Sequence, residues 1–273
     1  MRMSNTDQPR QIPRGIPPSV LDELSMLFSH QFAKSVKPDE IYVELTRIPW
    51  FRASDGTPLP LIPPRLTPGR VFRTEMDMVT KDILLNWDRN ERERLISNFL
   101  DHLFRTSNFR EVYEILHARE VYPDSLEEFG HCFRQVWFGL FSWDQMSPGV
   151  NRTCGFQHVY IGEKRANKVK GLHNWMRYYI LEKSARLVLS RVHKKHPNLQ
   201  IASIRFTYDE AVKPYGTIFF GLPIQFEIML FFCAFIIGGS REVNFLIDGQ
   251  RTAVISYDVA TQNNMLATAF FKY

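Results

Sequence analysis

Cysteine is scarce in this chain of 273 residues: Cys132, Cys154 and Cys233 are all there is. Three scattered thiols build neither a disulfide framework nor a zinc site with paired cysteine ligands. An odd count suits a reducing compartment. Long apolar runs are also missing. The longest, Ile228 to Ile237, has ten residues, about half the length of a membrane-spanning helix. The opening segment MRMSNTDQPRQIPRGIPP is polar and proline-rich, without the apolar stretch of a signal peptide. These features predict a soluble intracellular protein, cytoplasmic or nuclear, in which the sequon Asn151-Arg152-Thr153 has no role. Glycine-rich phosphate loops, G-x-S-x-G and H-E-x-x-H are absent, which argues against NTPase, serine-hydrolase and zinc-enzyme chemistry.

What is present is a globular composition, 44% apolar and 23% charged, with 22 phenylalanines that demand a bulky interior. A chain of this length buries roughly 75% of its unfolded surface and needs no covalent staples. Charge is divided unevenly. Residues 1–150 carry 18 Lys and Arg against 21 Asp and Glu, net −3, and residues 151–273 carry 16 against 8, net +8. Between Lys164 and Lys195 ten basic residues meet one acid, Glu182. That density either draws in a polyanion or forms a solvated basic face.

The pattern predicts a flexible tail over 1–18, a helical region over 19–146 and a mixed region over 147–273, together an α+β fold. Residues 19–33 have helical spacing with Ser19 as cap. Six prolines over 48–70 predict an ordered loop. Residues 90–122 read as two helices, and 125–143 as a third, with Ser125 and Glu128 as a capping box. Ser147-Pro148-Gly149 breaks the chain. Beyond it, 156–163 alternates like a strand, 164–171 reads as a connector, and 172–193 as one long basic helix. Residues 201–210 and 217–223 read as strands. Residues 225–239 read as a buried helix closed by Gly238 and Gly239, followed by strands at 244–249, 252–259 and 265–271.

Histidine and lysine in basic surroundings remain as candidates for chemistry. His158 and His173 flank the basic connector, and Lys213 lies in DEAVKPYGT. Two imidazoles and a lysine suit cleavage of RNA by its own 2′-hydroxyl. One ring takes the hydroxyl proton and the other protonates the departing 5′-oxygen. The lysine offsets charge on the phosphorane. The nucleophile belongs to the substrate, so no metal is required and DNA is not expected to be cut. His193 and His196 read as a solvated helix end. Trp175, Tyr178 and Tyr179 read as core.

Four ordered blocks, CGFQHVYIGEKR (154–165), GLHNWMRYYILEK (171–183), VKPYGTIFFG (212–221) and QFEIMLFF (225–232), resemble the EndoU family of poly(U)-specific endoribonucleases in its XendoU-like branch. The resemblance implies an α+β fold and cleavage of single-stranded, U-rich RNA to 2′,3′-cyclic phosphate ends, with stimulation by Mn2+ or Ca2+. A monomer is expected, although the sequence does not give the oligomeric state. It places the catalytic set on His158, His173 and Lys213, with His158 as general acid and His173 as general base. Glu163, Gln157 and Thr268 fall on supporting positions. Phe270, Lys164, Arg165 and Lys170 fall where substrate would bind. Two positions depart from the family pattern. Gln157 stands where the family has Glu, and Phe270 where it has Tyr, which removes a charge and a hydroxyl donor. These departures support an alternative, an RNA-binding member with weak or lost cleavage.

Overall fold

The computed structural model describes residues 17–35, 60–63, 65–87, 90–122, 124–143, 152–259 and 262–273. The expected tail up to residue 16, most of the proline-rich loop, the Ser147-Pro148-Gly149 break and Asn151 lie outside them.

The first part is helical, as its spacing predicts. It contains α1 (Pro18–Ser35), the single turn α2 (Pro68–Val71), α3 (Glu75–Asn86), α4 (Arg92–Leu103), α5 (Ser107–Ala118) and α6 (Leu126–Phe138). Capping side chains start several of these. Thr106 accepts from the Phe109 amide and Ser125 from the Glu128 amide. The reciprocal capping box is at Thr74 and Asp77 of α3 instead. Helix α3 is not legible from its sequence, because its buried stripe of Met76, Thr80, Ile83 and Leu84 is short and interrupted by a hydroxyl. Ser19 lies inside α1, which begins one residue earlier.

The second part opens with β1 (Phe141–Ser142) paired to β2 (Arg152–Thr153), then a π-helical turn over Gln157–Ile161. Strands β3 (Glu163–Arg165) and β4 (Lys168–Lys170) follow, then α7 (Trp175–Lys183), β5 (Leu187–Lys195), β6 (Ile201–Tyr208) and β7 (Ala211–Phe219). Helix α8 (Ile224–Gly238) leads into β8 (Glu242–Ile247), β9 (Gln250–Val259) and β10 (Gln262–Lys272). Five strands form one sheet in the order β3-β4-β7-β6-β5, and three form another in the order β10-β9-β8. All neighbours are antiparallel except β4 and β7, which meet in parallel at Lys168 and Val212. The architecture is α+β.

Three local readings fail for physical reasons. The segment 156–161 is helical, because Phe156, Val159 and Tyr160 sit at spacing i, i+3, i+4 and all are buried, and of the expected strand only Glu163 belongs to one. The connector at 164–171 is the β3–β4 hairpin. The expected helix at 172–193 breaks at Ala185, whose φ is +56°, and resumes as β5 with Val188 and Val192 in place. His196 therefore ends a strand rather than a helix. It is buried, and its Nδ1 accepts from the Leu199 amide at 3.0 Å.

One continuous apolar core joins the two parts. Helix α8 is apolar all round and runs through it, as a helix without a polar face must. Phe129 and Phe133 of α6 pack against Phe232 of α8, with ring centroids 5.5 and 4.9 Å apart. Each such pair adds about 0.5–1.5 kcal/mol beyond its buried area. Gly239 ends α8 at φ +60°. Among the described residues no helix is long and apolar enough to cross a membrane.

Candidate active site

The π-helical turn and the start of α7 are stitched together through their backbones. The Leu172 amide donates to the His158 carbonyl at 2.9 Å, and the His173 amide donates to the Val159 carbonyl at 2.8 Å. This approach requires glycine at 171. Its φ is +63°, and an added Cβ would lie 1.7 Å from the His158 carbonyl oxygen. The fifteen-residue separation in sequence thus becomes direct backbone contact. Lys213 of β7 joins them: its Nζ donates to the Gly171 carbonyl at 2.5 Å. His158, His173 and Lys213 are each 7–8% exposed, so three potential cations share one largely desolvated site.

Each imidazole is held by one ring nitrogen. His173 Nδ1 donates to the Thr217 carbonyl at 3.1 Å, so its neutral ring carries the proton there and leaves Nε2 as a base. Burial, then the charges of Lys213 and His158, hold its pKa well below the usual histidine value, against the pull of the Thr217 carbonyl. His158 Nδ1 donates to Glu163 Oε1 at 3.3 Å. The same oxygen accepts from the Thr153 hydroxyl at 2.7 Å, and Arg165 donates to the other oxygen at 3.1 and 2.7 Å. Burial alone would raise the Glu163 carboxyl, but these partners hold it below its ordinary range. Glu163 therefore orients both a histidine and an arginine. Burial and the charge of Lys170 bring the Lys213 ammonium down to about 8.

The supporting positions fall around this centre. Phe270 of β10 stacks on His173, rings 5.3 Å apart and 21° from parallel. Thr268, two residues earlier, is half-buried opposite Tyr257. Gln157 Oε1 is buried with no hydrogen-bond partner among the described residues. Lys170 is exposed on β4. Lys164 and Arg165 line a cavity of about 630 Å³ with Trp143, Arg152, Gln157 and Tyr208. Lys164 is not free there, since its Nζ donates to Asp209 at 2.9 Å.

Other contributors lie outside the residues read as the site from the sequence. Trp143 sets its ring 5.3 Å from that of His158. Thr217 acts through its backbone carbonyl. Asn174 caps α7 by accepting from the Arg177 amide, and its Nδ2 donates to Glu227 of α8 at 2.8 Å. Glu227 is fully buried and its carboxyl is pushed up to about 8. It fixes the residue beside His173. Asn ahead of an apolar helical run is an N-cap signal, but its partner 53 residues away is not readable.

Among the described residues no group of three His, Cys, Asp or Glu side chains could hold a metal ion. Glu163, the carboxylate at the histidine pair, is already engaged three times.

The model of the family described as Endoribonuclease XendoU matches residues 79–271. The chain is 32% identical over 158 residues to Poly(U)-specific endoribonuclease-B of Xenopus laevis, covering 54% of this chain and 53% of that protein. It is 30% identical over 180 residues to the mouse Uridylate-specific endoribonuclease, covering 63% of this chain and 43% of that one. The chain thus spans about half the length of the curated relatives it matches. A solved structure described as "The structure of XendoU: a splicing independent snoRNA processing endoribonuclease" superposes with TM-score 0.67 at 21% identity. It covers 91% of this chain and 96% of its own, so the fold is shared almost throughout. With the family model spanning both histidines, the lysine and both sheets, the chain belongs to the XendoU endoribonuclease family.

Proposed function

We propose that this chain is an endoribonuclease cutting single-stranded RNA, preferentially at uridines, to leave 2′,3′-cyclic phosphate and 5′-hydroxyl ends. The observation that carries the reading is the convergence of His158, His173 and Lys213. His173 Nε2 takes the proton of the 2′-hydroxyl, whose oxygen attacks the adjacent phosphorus. As the phosphorus–O5′ bond breaks, protonated His158 gives its Nε2 proton to the departing oxygen. The Glu163 carboxylate stabilises that imidazolium, and the Lys213 ammonium faces the charge that grows on the phosphoryl oxygens. The low basicity of His173 keeps its ring neutral and ready to accept a proton at neutral pH.

The names of the relatives, poly(U)-specific and uridylate-specific, support uridine preference and an RNA partner. Phe270 offers its outer ring face to the base. Gln157 lacks the charge of the family's glutamate, but Glu163 still supplies a carboxylate to His158, so the geometry does not favour the binding-only alternative. Because the nucleophile is on the RNA, cleavage is expected to persist in excess chelator. The test is incubation of the chain with U-rich and A-rich single strands, with and without chelator. Preferential cutting of the U-rich strand in both conditions supports the reading. Equal cutting of both strands removes the uridine preference, and cutting that stops with chelator removes the metal-free mechanism.

A further inference from the structure

Tyr215 is 68% exposed, the second most exposed large apolar side chain among the described residues after Met26. It is not loose. Its ring stacks on that of His193 of β5, centroids 4.4 Å apart and 26° from parallel. His193 is anchored in turn, with Nε2 2.9 Å from the Pro214 carbonyl oxygen. One ring face of Tyr215 is therefore braced, and the exposure belongs largely to the other.

The position of this pair gives it meaning. Along β7, Tyr215 stands two residues from Lys213, whose ammonium meets the Gly171 carbonyl, and two from Thr217, whose carbonyl fixes His173. The strand bulges here: Lys213 pairs with Phe206 and Gly216 with Ile204, so Pro214 and Tyr215 together oppose exposed Arg205, on the outer face of the sheet away from Lys213. The surroundings are strongly cationic. From Lys183 to Tyr208 the sequence has six Lys and Arg and no Asp or Glu. Arg191, Lys195 and Arg205 of this stretch are all exposed on β5 and β6. A braced aromatic face amid positive charge, with no acid along the two flanking strands, has the character of a platform for unpaired nucleic-acid bases. Such platforms combine ring stacking with attraction for phosphates.

We infer that the Tyr215–His193 pair is a stacking platform for an unpaired base of the bound RNA outside the catalytic centre, with the basic face of β5 and β6 guiding the phosphates beyond it. The inference rests on the endoribonuclease reading and deepens it. It assigns a positioning role to two residues outside the catalytic centre and gives the edge of the five-stranded sheet a substrate. A base held there anchors the strand beyond the catalytic centre and selects unpaired RNA, since a base stacked in a duplex has no free ring face to offer.

The experiment uses a U-rich oligonucleotide made wholly of 2′-fluoro nucleotides, which binds but cannot be cut, with 2-aminopurine placed in turn at each position flanking the central uridine. The same sequence as plain RNA reports cleavage. The unaltered chain is expected to quench 2-aminopurine on binding. Tyr215→Ala should weaken binding about tenfold, in line with the stacking of one base, and abolish the quench. Tyr215→Phe, which keeps the ring, should bind within about twofold of the unaltered chain. His193→Ala should fall between them. Tyr215 is exposed, so these variants leave the core intact. If Tyr215→Ala binds and quenches as the unaltered chain does while plain RNA is still cut, the platform is wrong and the endoribonuclease reading stands. If the unaltered chain neither binds the analogue nor cuts the RNA, that reading falls and takes the platform with it.

Discussion

The helical part before residue 140 and the mixed part after residue 152 share one core yet use their polar groups in opposite ways. In the helical part, charge stays outside. Arg94 and Glu91 pair with their side chains 63% and 59% exposed, and Arg119 and Glu23 with 49% and 40%. Pairs of this kind contribute about 0.2–1 kcal/mol. Its buried polar residues, Ser25, Gln31, Thr80 and Asn108, are all neutral. In the mixed part, Glu163, Arg177, Lys213 and Glu227 are buried, along with His158, His173 and His196. Burying ionisable groups is costly, and here Glu163, His158, His173 and Lys213 meet at one centre, where burial weakens the hold of His173 and Lys213 on their protons. The difference separates a scaffold from a reactive site built upon it.

The comparison is broken most sharply by paired truncations. His173→Ala should lower cleavage by at least about a hundredfold with little change in melting temperature. Phe133→Ala in α6 should do the reverse. It should lose about 3–5 kcal/mol of stability, while the folded fraction cleaves at the normal rate. Cleavage assays beside thermal melts check both. An unchanged rate for His173→Ala would remove that ring from the mechanism. A catalytic collapse of folded Phe133→Ala would erase the division between the two parts.

A smaller effect concerns pH. Lys213 is charged below about 8 and loses its proton above it, because burial and Lys170 disfavour the ammonium. The value of kcat/KM should therefore fall as pH rises past about 8, far below where an ordinary lysine titrates. Lys213→Arg, which stays charged throughout, should lower the rate but move that decline upward. An unmoved decline would assign it to another group. The smallest effect is at Phe270. Restoring a hydroxyl with Phe270→Tyr should raise cleavage or sharpen uridine selectivity by a few-fold. No response in competition assays between U-rich and C-rich strands would mean the stacked ring alone suffices.

Much of the site was legible because its chemistry lies in short contiguous stretches. His158 and Glu163 share one block, Gly171 and His173 another, and Lys213 a third. The pairing of an acidic helical half with a basic mixed half was equally visible in the charge count. What escaped was whatever depends on distant or backbone partners. The carbonyl of Thr217 has no side-chain signature, and the bond from Asn174 to Glu227 crosses 53 residues. His193 read as a solvated helix end because LHNWMRYYILEKSARLVLSRVH keeps an apolar rhythm through a break at Ala185. The stretch FQHVYIGE fits either period until Trp87, Phe99 and Phe138 supply a surface for Phe156 to pack against.

The convergence of two imidazoles and an ammonium on one phosphodiester is tested most directly by analysing product ends from a strand with a single ribouridine among deoxynucleotides. One cut is expected, immediately 3′ of the ribouridine, leaving a 2′,3′-cyclic phosphate and a 5′-hydroxyl. Cutting at the deoxynucleotides, or a 3′-hydroxyl with a 5′-phosphate, would contradict attack by the neighbouring 2′-hydroxyl and with it the roles given to His158, His173 and Lys213.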